Sequence, residues 1–475
     1  MSLSGFTAAR ASLRFPVLFR ARLFLRAASS QHTVDAAFPT VQDSGPVPRR
    51  ISFDDGEVFR LKSFWEIARG LLIFRLCSFP TLVNNCQKCM SFGRRILGRR
   101  LFEMVVRASV YRQFVAGESL LEIQECMDKL RALGIRPMLA VPIEEDIGAE
   151  NSGEVWYTKN LETMLRCVEL SAIGGSRSMM QLKITALMNA DLCKKLTLCL
   201  ENPSLAGELS IEKIVSVMDG EIASFPCLTV EESQHFHNSL RRLAQVAKYG
   251  KNQKVRILVD AEYTYLNPAL TLVTMAMMTL CNQSEPWIWN TYQCYLKDSF
   301  NLLTNDLGLA QRLGICFGVK LVRGAYMDKE RKLAKERSYP DPINPDWEAT
   351  SCSYQRSLDT LLELVAIHGD RYNLIVASHN EESVKHALRR MEELGIHREA
   401  GTVCFGQLLG MCDQVSLTLG QAGYAIYKSI PYGSVNEVIP YLVRRAQENQ
   451  SVLCGIRKER DLLQKELKRR LCRQA

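Results

Sequence analysis

The sequence lacks an apolar run long enough to cross a bilayer, because a transmembrane helix needs about 18 apolar residues or more. Its longest run, PALTLVTMAMMTLC, is shorter and predicts a buried helix. A zinc site is not supported, since CQKC at Cys86 and Cys89 has no second pair and no neighbouring histidine to complete it. No G-x-G-x-x-G follows a predicted strand, which argues against a Rossmann dinucleotide site.

Acidic residues are absent from residues 1–34, which carry five arginines among Phe, Leu and Ser. This composition is typical of a mitochondrial transit peptide, with a disordered basic tail as the alternative. Without those five charges, the net charge of +9 falls to about +4, too little to indicate nucleic-acid binding. Three prolines in residues 35–50 predict a flexible linker to the folded part.

What the chain does contain is ordinary globular composition, 47% apolar and 23% charged, with eight short β-rich runs between helical stretches. Several runs are continuously apolar, as expected for parallel strands covered on both faces. The predicted fold class is therefore α/β, a (βα)8 TIM barrel, with a doubly wound sheet as the alternative. The runs are PMLAVP, MQLKIT, RILVDAE, WIWNT, GVKLVRGAY, NLIVASHN, TVCFGQ and AIYKSIP.

Three folded segments follow from this pattern. Residues 51–135 are predicted to form helices that precede the barrel, and residues 136–460 to form the barrel itself. Residues 461–475 are predicted to form a basic amphipathic helix, either solvated or in contact with anionic lipid.

A polar side chain ends most of the predicted strands. In a (βα)8 barrel the active site lies at the C-terminal ends of the strands, so these side chains are candidate functional residues. Lys320 and Arg323 could serve an anionic or electron-rich cofactor, and His379 could be an acid, a base or a structural histidine. The strand-end residues are Lys183, Asp260, Asn290, Arg323, His379, Gln407 and Ser429.

Residues 427–449 combine a strand end with the start of a helix. Ser434 and Glu437 have the spacing of a capping box, which predicts that the helix begins there. A polar face at helical spacing could bind a carboxylate between two guanidinium forks, although such a face is also common on a solvated surface. Its residues are Tyr441, Arg444, Arg445 and Glu448.

Other chemistries stay open on the residues alone. Asp260 and Glu262 could orient a base, bind a metal or cap a helix, although scattered histidines and carboxylates argue against a metal site. Lys183 could act as the Schiff-base amine of a lyase or aldolase. A catalytically silent barrel that serves as a scaffold is a further alternative.

Taken in order along the chain, eight motifs closely resemble the eukaryotic proline dehydrogenase family. The resemblance covers roughly residues 100–460. It implies a distorted (βα)8 barrel that holds FAD, oxidises proline at the C5–N bond and passes electrons to the quinone of the mitochondrial inner membrane. The motifs are MQLKITAL, LVDAEYT, WNTYQCYLKD, KLVRGAYMDKER, VASHNEESV, FGQLLGMCDQ, GQAGYAIYKSIPYG and YLVRRAQEN.

The resemblance also implies roles for individual residues. Arg444 and Arg445 match the pair that holds the substrate carboxylate, with Tyr441 and Glu448 beside them. Lys183 and Asp260 match charged residues near the substrate, and Leu408 matches an apolar contact on its ring. Lys320 matches a position near the flavin, where we expect its charge to stabilise the reduced, anionic cofactor. The positions implied to line FAD are Asn290, Lys320, Arg323, Gly324, Ala325, Tyr326, Ser378, His379, Gln407, Gly410 and Met411.

Two of these positions differ from bacterial members, which have arginine in place of Lys320 and glutamine in place of Asn290. Ser429 departs further, because proline dehydrogenases in the narrow sense have a tyrosine there that packs on the proline ring. Serine opens space and supplies a hydroxyl. With ISFDDGEVFRLKS and KSIPYGS, it resembles the hydroxyproline dehydrogenase branch of the family, which implies trans-4-hydroxy-L-proline as the preferred substrate and L-proline as the alternative.

Overall fold

The computed structural model describes residues 51–141, 143, 153–173, 175–451 and 453–474. The chain divides into two units, residues 1–50 and residues 51–475. The predicted transit peptide of residues 1–34 and the predicted linker of residues 35–50 lie outside the described residues.

Eight parallel strands close into a barrel in which each strand pairs with the next one along the chain and the last pairs with the first. The predicted (βα)8 barrel is confirmed. Each strand begins within a few residues of one of the β-rich runs. These runs form parallel strands because they are apolar enough to be covered on both faces. The strands are β1 (Arg136–Ala140), β2 (Ser178–Leu182), β3 (Val255–Val259), β4 (Ile288–Gln293), β5 (Phe317–Val322), β6 (Tyr372–Ala377), β7 (Val403–Leu408) and β8 (Ile426–Pro431).

Helices precede, connect and follow the strands, as the predicted fold requires. A 3-10 helix (Gly56–Leu61) comes first, and a π-helix (Arg107–Tyr111) interrupts the N-terminal group. The α-helices are α1 (Phe64–Cys77), α2 (Pro80–Asn84), α3 (Cys86–Val106), α4 (Arg112–Phe114), α5 (Leu120–Ala132), α6 (Glu154–Ala172), α7 (Ala190–Glu201), α8 (Ile211–Met218), α9 (Val230–Asn252), α10 (Asn267–Cys281), α11 (Ser299–Leu313), α12 (Met327–Arg337), α13 (Trp347–His368), α14 (Glu381–Glu393), α15 (Asp413–Gln421), α16 (Val435–Ser451) and α17 (Leu453–Gln474).

The closed end of the barrel is filled by large side chains. Trp289 is fully buried and packs with Met179, Leu258 and Ile375 inside the barrel. A Cβ atom at Gly318 would lie 2.3 Å from the Trp289 side chain, so the glycine leaves room for the indole. The interior is therefore packed at this end, and only the opposite end can admit a ligand.

The N-terminal helices are attached to the open end of the barrel, beyond β8. The Tyr111 hydroxyl donates to the Gly433 carbonyl at 2.6 Å, and the Gly433 N–H donates to the Gly117 carbonyl at 2.9 Å. The Ala116 N–H donates to the Pro431 carbonyl at 2.8 Å. These bonds hold the turn between β8 and α16, so the N-terminal segment helps to fix the position of α16.

The C-terminal helix begins earlier than the boundary at residue 461. It extends over Leu453–Gln474 and packs on α1 and on the 3-10 helix Gly56–Leu61. Leu462 and Leu463 are buried in the main core. None of the described helices is long and apolar enough to cross a membrane.

A buried cluster of charges connects α17 to the barrel. The Lys428 ammonium, on the outer face of β8, lies 2.8 Å from an Asp413 carboxylate oxygen, and Lys62 binds the other oxygen. Glu459 of α17 accepts the backbone N–H groups of Cys412 at 2.7 Å and Asp413 at 3.0 Å. Burial, with the neighbouring Asp413 charge, raises the pKa of Glu459 to about 7.

This cluster predicts a pH dependence of stability that Glu459→Gln should reduce. Between the ordinary pKa of 4.5 and the raised value near 7, the folded protein keeps a proton that the unfolded chain releases. The free energy of unfolding should therefore fall as pH rises through this window, by up to about 1.4 kcal/mol per pH unit. Urea unfolding at ~pH 5 and ~pH 8 measures this slope.

Glu466→Gln on the same helix is the matched control. Hydrogen bonds from Arg469 and Arg470 lower the pKa of Glu466 to about 2, so its charge state does not change in this window. Glu466→Gln should keep the wild-type slope. An unchanged slope in Glu459→Gln would show that Glu459 is not the titrating group.

Candidate active site

Alternation along the strands determines which side chains enter the open end of the barrel. Met179 and Leu258 pack inside the closed end, and side chains two residues further along a strand point to the same side. Gln181 and Asp260 therefore face the lumen. The Asp260 N–H donates to the Leu182 carbonyl at 2.8 Å, which extends the strand ladder to the position of the carboxylate.

Acidic and basic side chains meet at the exits of β2, β3 and β5. The buried Lys320 ammonium donates to Asp260 Oδ1 at 2.6 Å. Glu262 accepts from the Thr185 hydroxyl at 2.9 Å, and its pKa is raised by burial against the opposing effect of the Lys183 charge. The structure thus brings together the three residues predicted to be catalytic, Lys183, Asp260 and Lys320. In the described part of the chain, no three His, Cys, Asp or Glu side chains form a group that could hold a metal ion.

Helix α16 brings the arginine pair to the same end of the barrel. Its start agrees with the predicted capping box, since the Ser434 N–H donates to Glu437 at 2.8 Å. The guanidinium carbon of Arg445 lies 5.2 Å from the centre of the Tyr441 ring, within the range of a cation–π contact. The helix therefore presents a cation and an aromatic ring together, as the carboxylate-binding prediction requires.

The electrostatic effects of the arginine pair show which strand ends α16 approaches. The pKa of His379, after β6, is lowered to about 3 by burial and by the positive charges of Lys428 and Arg445. The pKa of Tyr326, after β5, is raised by burial, and Arg444 acts in the opposite direction. The two arginines therefore lie near the exits of neighbouring strands.

Ser429 is a residue of β8, and its side chain lies in the lumen wall. Its side chain is 5% exposed, and its hydroxyl donates to Gln181 Oε1 at 2.6 Å. Its backbone partner across the β7–β8 ladder is Leu408, which the family resemblance predicts to contact the substrate ring. Gln181, Ser429 and Leu408 thus form one wall of the open lumen.

Comparison with known proteins identifies the family. The Proline dehydrogenase family profile matches residues 128–458, which is more than half of the chain. The chain belongs to the proline dehydrogenase family. It is 67% identical to the Hydroxyproline dehydrogenase of Xenopus laevis, over 89% of this chain and 91% of that protein, and 53% identical to that of Homo sapiens, over 90% and 96%. It is 35% identical to Proline dehydrogenase 1, mitochondrial, of Homo sapiens, over 90% of each chain.

Among solved structures, this proline dehydrogenase family member is similar to the proline utilization A (PutA) protein of Bdellovibrio bacteriovorus, inactivated by N-propargylglycine. The TM-score is 0.58 at 20% sequence identity. The match covers 82% of this chain and 38% of that one, so the chain spans less than half of the PutA protein. This likeness supports the barrel fold alone.

Proline dehydrogenases are flavin-dependent, and the strand exits fit such a group. The buried Nδ1 atom of His379 has no hydrogen-bond partner among the described residues, so a bound polar group could satisfy it. The Arg323 guanidinium is fixed by the Ser351 hydroxyl at 2.8 Å and the Ser383 hydroxyl at 3.2 Å. Gly410 has φ +74°, and a Cβ there would lie 2.1 Å from the Gln113 carbonyl, so the turn requires glycine.

Two residues predicted to line FAD point away from the lumen. Asn290 donates to the Tyr292 hydroxyl at 3.3 Å, and that hydroxyl donates to Asp306 on α11. Gln407 accepts from the Ser416 hydroxyl of α15. Both side chains lie on the helix-facing side of their strands, because neighbouring residues of a strand alternate between faces.

The remaining positions predicted to line FAD follow the strands at the open end of the barrel, and their surroundings differ. The Ser378 hydroxyl accepts from the Asn380 N–H at 3.0 Å, and Met411 packs in the apolar cluster beneath α16. Gly324, followed by Ala325, leads from β5 to Tyr326. The Glu448 side chain lies outside the described residues.

Gln181 was not among the predicted site residues, and Glu262 was noted only as a strand-end carboxylate. A signal existed for Gln181, which is two residues before Lys183 and so shares its face of the strand. The contact of Gln181 with Ser429 was not visible, because 248 positions separate the two residues.

Proposed function

We propose that this member of the proline dehydrogenase family is a hydroxyproline dehydrogenase, which oxidises trans-4-hydroxy-L-proline to 1-pyrroline-3-hydroxy-5-carboxylate with FAD. The observation that carries the proposal is the Ser429 hydroxyl in the lumen wall, hydrogen-bonded to Gln181. Relatives named Hydroxyproline dehydrogenase, 67% and 53% identical over most of the chain, support the same conclusion.

The 4-hydroxyl group of the substrate fits the chemistry of this wall. The single hydrogen of the Ser429 hydroxyl is directed at Gln181 Oε1, so the serine oxygen can accept a hydrogen bond from the substrate. The amide nitrogen of Gln181 carries two further donors. L-proline lacks the hydroxyl and would leave these groups without that partner, which disfavours it in a buried pocket.

The substrate carboxylate is assigned to Arg444 and Arg445. Two guanidinium groups on adjacent positions can each donate paired hydrogen bonds, and such charge-assisted bonds are stronger than neutral ones. Tyr441 lies against Arg445 and supplies an apolar surface beside the carboxylate site. This arrangement fixes one end of the substrate, so that the ring extends toward Ser429 and Leu408.

The charged residues beneath the ring control protonation and orientation. The C5–H bond breaks as hydride and the ring nitrogen loses its proton, so that a C5=N bond forms. Asp260 holds the Lys320 ammonium at 2.6 Å, which keeps this cation in place at the β5 exit. Lys183 and Asp260 set the charge around the substrate nitrogen, and the buried Glu262 adds a carboxyl group with a raised pKa beside Lys183.

FAD would be held by the residues at the β5, β6 and β7 exits, with Arg323, Tyr326 and His379 as the best-placed side chains. When bound, it supplies the two-electron acceptor for the hydride. We assign ubiquinone as the final acceptor, and a location on the matrix side of the mitochondrial inner membrane with residues 1–34 as the transit peptide. One relative named as a mitochondrial proline dehydrogenase supports this location.

A comparison of kcat/KM for the two imino acids, with a soluble dye as acceptor, tests the proposal. Trans-4-hydroxy-L-proline should be preferred over L-proline. Preference for L-proline would instead make the protein an L-proline dehydrogenase that produces 1-pyrroline-5-carboxylate, and activity with neither would exclude both reactions.

Gln181→Leu should lower this preference. The leucine removes the acceptor that orients the Ser429 hydroxyl, at similar volume, so kcat/KM for trans-4-hydroxy-L-proline should fall about 10-fold. L-proline is the internal control, because it makes no hydrogen bond to this wall and its kcat/KM should change little. An equal fall for both substrates would show that Gln181 has only a structural role.

A further inference from the structure

Three arginines, Arg136, Arg177 and Arg256, meet at the closed end of the barrel, where the strands begin, and we call them the arginine rim. Arg136 is the first residue of β1 and Arg256 the second of β3, and each lies two residues before a side chain that packs in the lumen. Because residues two apart in a strand share a face, both arginines point toward the barrel axis.

The Arg177 side chain reaches the same place from β2. Arg177 directly precedes that strand, and its Nη1 donates to the carbonyl of Glu399, before β7, at 3.5 Å. Strands β2 and β7 are not neighbours in the barrel, so the side chain crosses the mouth of the closed end.

The charges of the arginine rim act on the same buried groups. Burial raises the pKa of the Cys404 thiol, inside the barrel on β7, to about 12, and all three arginines act in the opposite direction. Tyr427 of β8 links two of them, because its hydroxyl accepts from Arg136 Nη1 at 3.2 Å and donates to the Arg177 carbonyl at 2.8 Å. The three cations therefore converge on one region beneath the barrel.

No carboxylate balances these charges. Within the part of the chain that the structure describes, none of the three arginines forms an ion pair. The carboxylate of Glu399, whose carbonyl accepts from Arg177, is instead paired with Arg398 at 2.8 Å. Like charges held together repel one another, so the arginine rim favours a negatively charged ligand.

Arg256 has hydrogen-bonding capacity that the fold does not use. Its side chain is 8% exposed, and its guanidinium carbon lies 5.7 Å from the centre of the Trp289 ring. Its Nη1 atom is buried and has no hydrogen-bond partner among the described residues. Since buried polar groups in proteins are almost always hydrogen-bonded, this donor points to an acceptor that binds here.

We propose that the arginine rim binds a phosphate group, either as inorganic phosphate or as part of a small phosphate ester. A carboxylate has two acceptor oxygens and one negative charge, which a single guanidinium fork can satisfy. A phosphate dianion has more acceptor oxygens and can bind forks that arrive from different strands. Arg136 and Arg177 are partly exposed and give access from solvent.

The phosphate site is separate from the proposed reaction. Trp289 closes the lumen above the arginine rim, so the anion binds at the outer mouth and does not enter the barrel. Strand β1 alone, with five residues, places about 16 Å between the two ends. A ligand that binds only the folded state stabilises it, so phosphate is expected to raise the melting temperature.

Calorimetric titration of the FAD-loaded full chain with inorganic phosphate, at an ionic strength held constant with chloride, tests the inference. The wild type should bind one phosphate at the arginine rim. Arg256→Met should raise the dissociation constant about 10-fold or more, because a charge-assisted hydrogen bond is lost. Arg136→Gln should have a similar effect and provides a second variant at a partly exposed position, where folding depends less on the side chain.

The melting temperature separates binding from a structural role. The increase caused by phosphate in the wild type should be largely lost in Arg256→Met and Arg136→Gln. If Arg256 acts only by packing on Trp289, Arg256→Met would lower the melting temperature equally in phosphate and in chloride, and this result would overturn the inference.

Matched controls replace arginines elsewhere. Arg312→Gln and Arg389→Gln remove exposed cations of α11 and α14, and Arg444→Met removes a cation of the proposed substrate site. All three should keep the wild-type dissociation constant for phosphate. Absence of phosphate binding at millimolar concentrations, or binding that is lost in Arg444→Met and kept in Arg256→Met, would overturn the inference. Neither result depends on turnover, so the proposed function is tested separately.

Two other anions identify the ligand. Tighter binding of glycerol 3-phosphate than of inorganic phosphate would assign the arginine rim to a phosphate ester, and the reverse order would assign it to free phosphate. Acetate should bind at least about 10-fold more weakly than phosphate, because it has fewer acceptor oxygens and less charge. Equal affinity for acetate would overturn the assignment to a phosphate group.

Discussion

Replacing Arg444 or Arg445 with methionine is expected to lower kcat/KM for trans-4-hydroxy-L-proline by about 1,000-fold. Methionine preserves much of the aliphatic length but removes the guanidinium, so the carboxylate enters the site without its charged partner. The lysine variants should fall less, because an ammonium keeps the charge but loses the paired hydrogen bonds. Steady-state kinetics with a dye acceptor measures both series.

Arg457→Met on α17 is the control, since Arg457 is an exposed arginine outside the site. It should leave kcat/KM unchanged. The flavin spectrum and melting temperature of each variant separate loss of substrate binding from loss of fold. Full activity of the Arg444 and Arg445 variants would mean that this face of α16 is a solvated surface, which is the alternative that the sequence alone leaves open.

Replacing Ser429 with tyrosine is expected to reverse the substrate preference. The ring would occupy the lumen beside Leu408 and Gln181, where the substrate hydroxyl is proposed to lie. The value of kcat/KM for trans-4-hydroxy-L-proline should fall about 100-fold, while that for L-proline should rise because the ring packs on its methylene groups. Parallel kinetics with both substrates measures the ratio.

The Ser429→Ala variant distinguishes the effect of the open volume on substrate preference from the effect of the hydroxyl's hydrogen bond. Alanine keeps the open volume but removes the hydroxyl, so this variant should accept both substrates with little preference. If Ser429→Ala retains the full wild-type preference, the hydroxyl is not the source of selectivity. If Ser429→Tyr also retains it, the wall formed by Ser429 is not in contact with the substrate ring.

The sequence contains strong local signals for the barrel and for α16. Eight β-rich runs became eight strands because each is apolar enough to be buried on both faces. The Ser434–Glu437 spacing predicted the start of α16, and both residues form the expected cap. These features depend on residues close together in the chain, which is why they can be predicted.

Whether a strand side chain points into the lumen or toward the surrounding helices is harder to predict. A strand buried on both faces has no polar and apolar alternation to reveal which side enters the lumen. Asn290 and Gln407 are polar residues that were predicted to end strands at the site, yet both side chains face the helices. Lys428 is similar, since its buried ion pair with Asp413 depends on α15 packing against β8.

The other features that could not be predicted are contacts between segments that are far apart in the chain. The Ser429–Gln181 bond joins the last strand of the barrel to the second. The Tyr111–Gly433 bond joins the N-terminal helices to the turn before α16. Neither pair has a local signal, because each forms only after the barrel has closed.

The central claim is that this barrel oxidises trans-4-hydroxy-L-proline through a bound flavin, with Ser429 as the source of preference. An anaerobic titration of the purified protein with trans-4-hydroxy-L-proline and with L-proline, followed by flavin absorbance, tests it most directly. The account predicts bleaching at much lower concentrations of trans-4-hydroxy-L-proline than of L-proline. Equal or proline-favoured bleaching would contradict the substrate assignment, and a protein purified without a flavin band would contradict the flavin reaction itself.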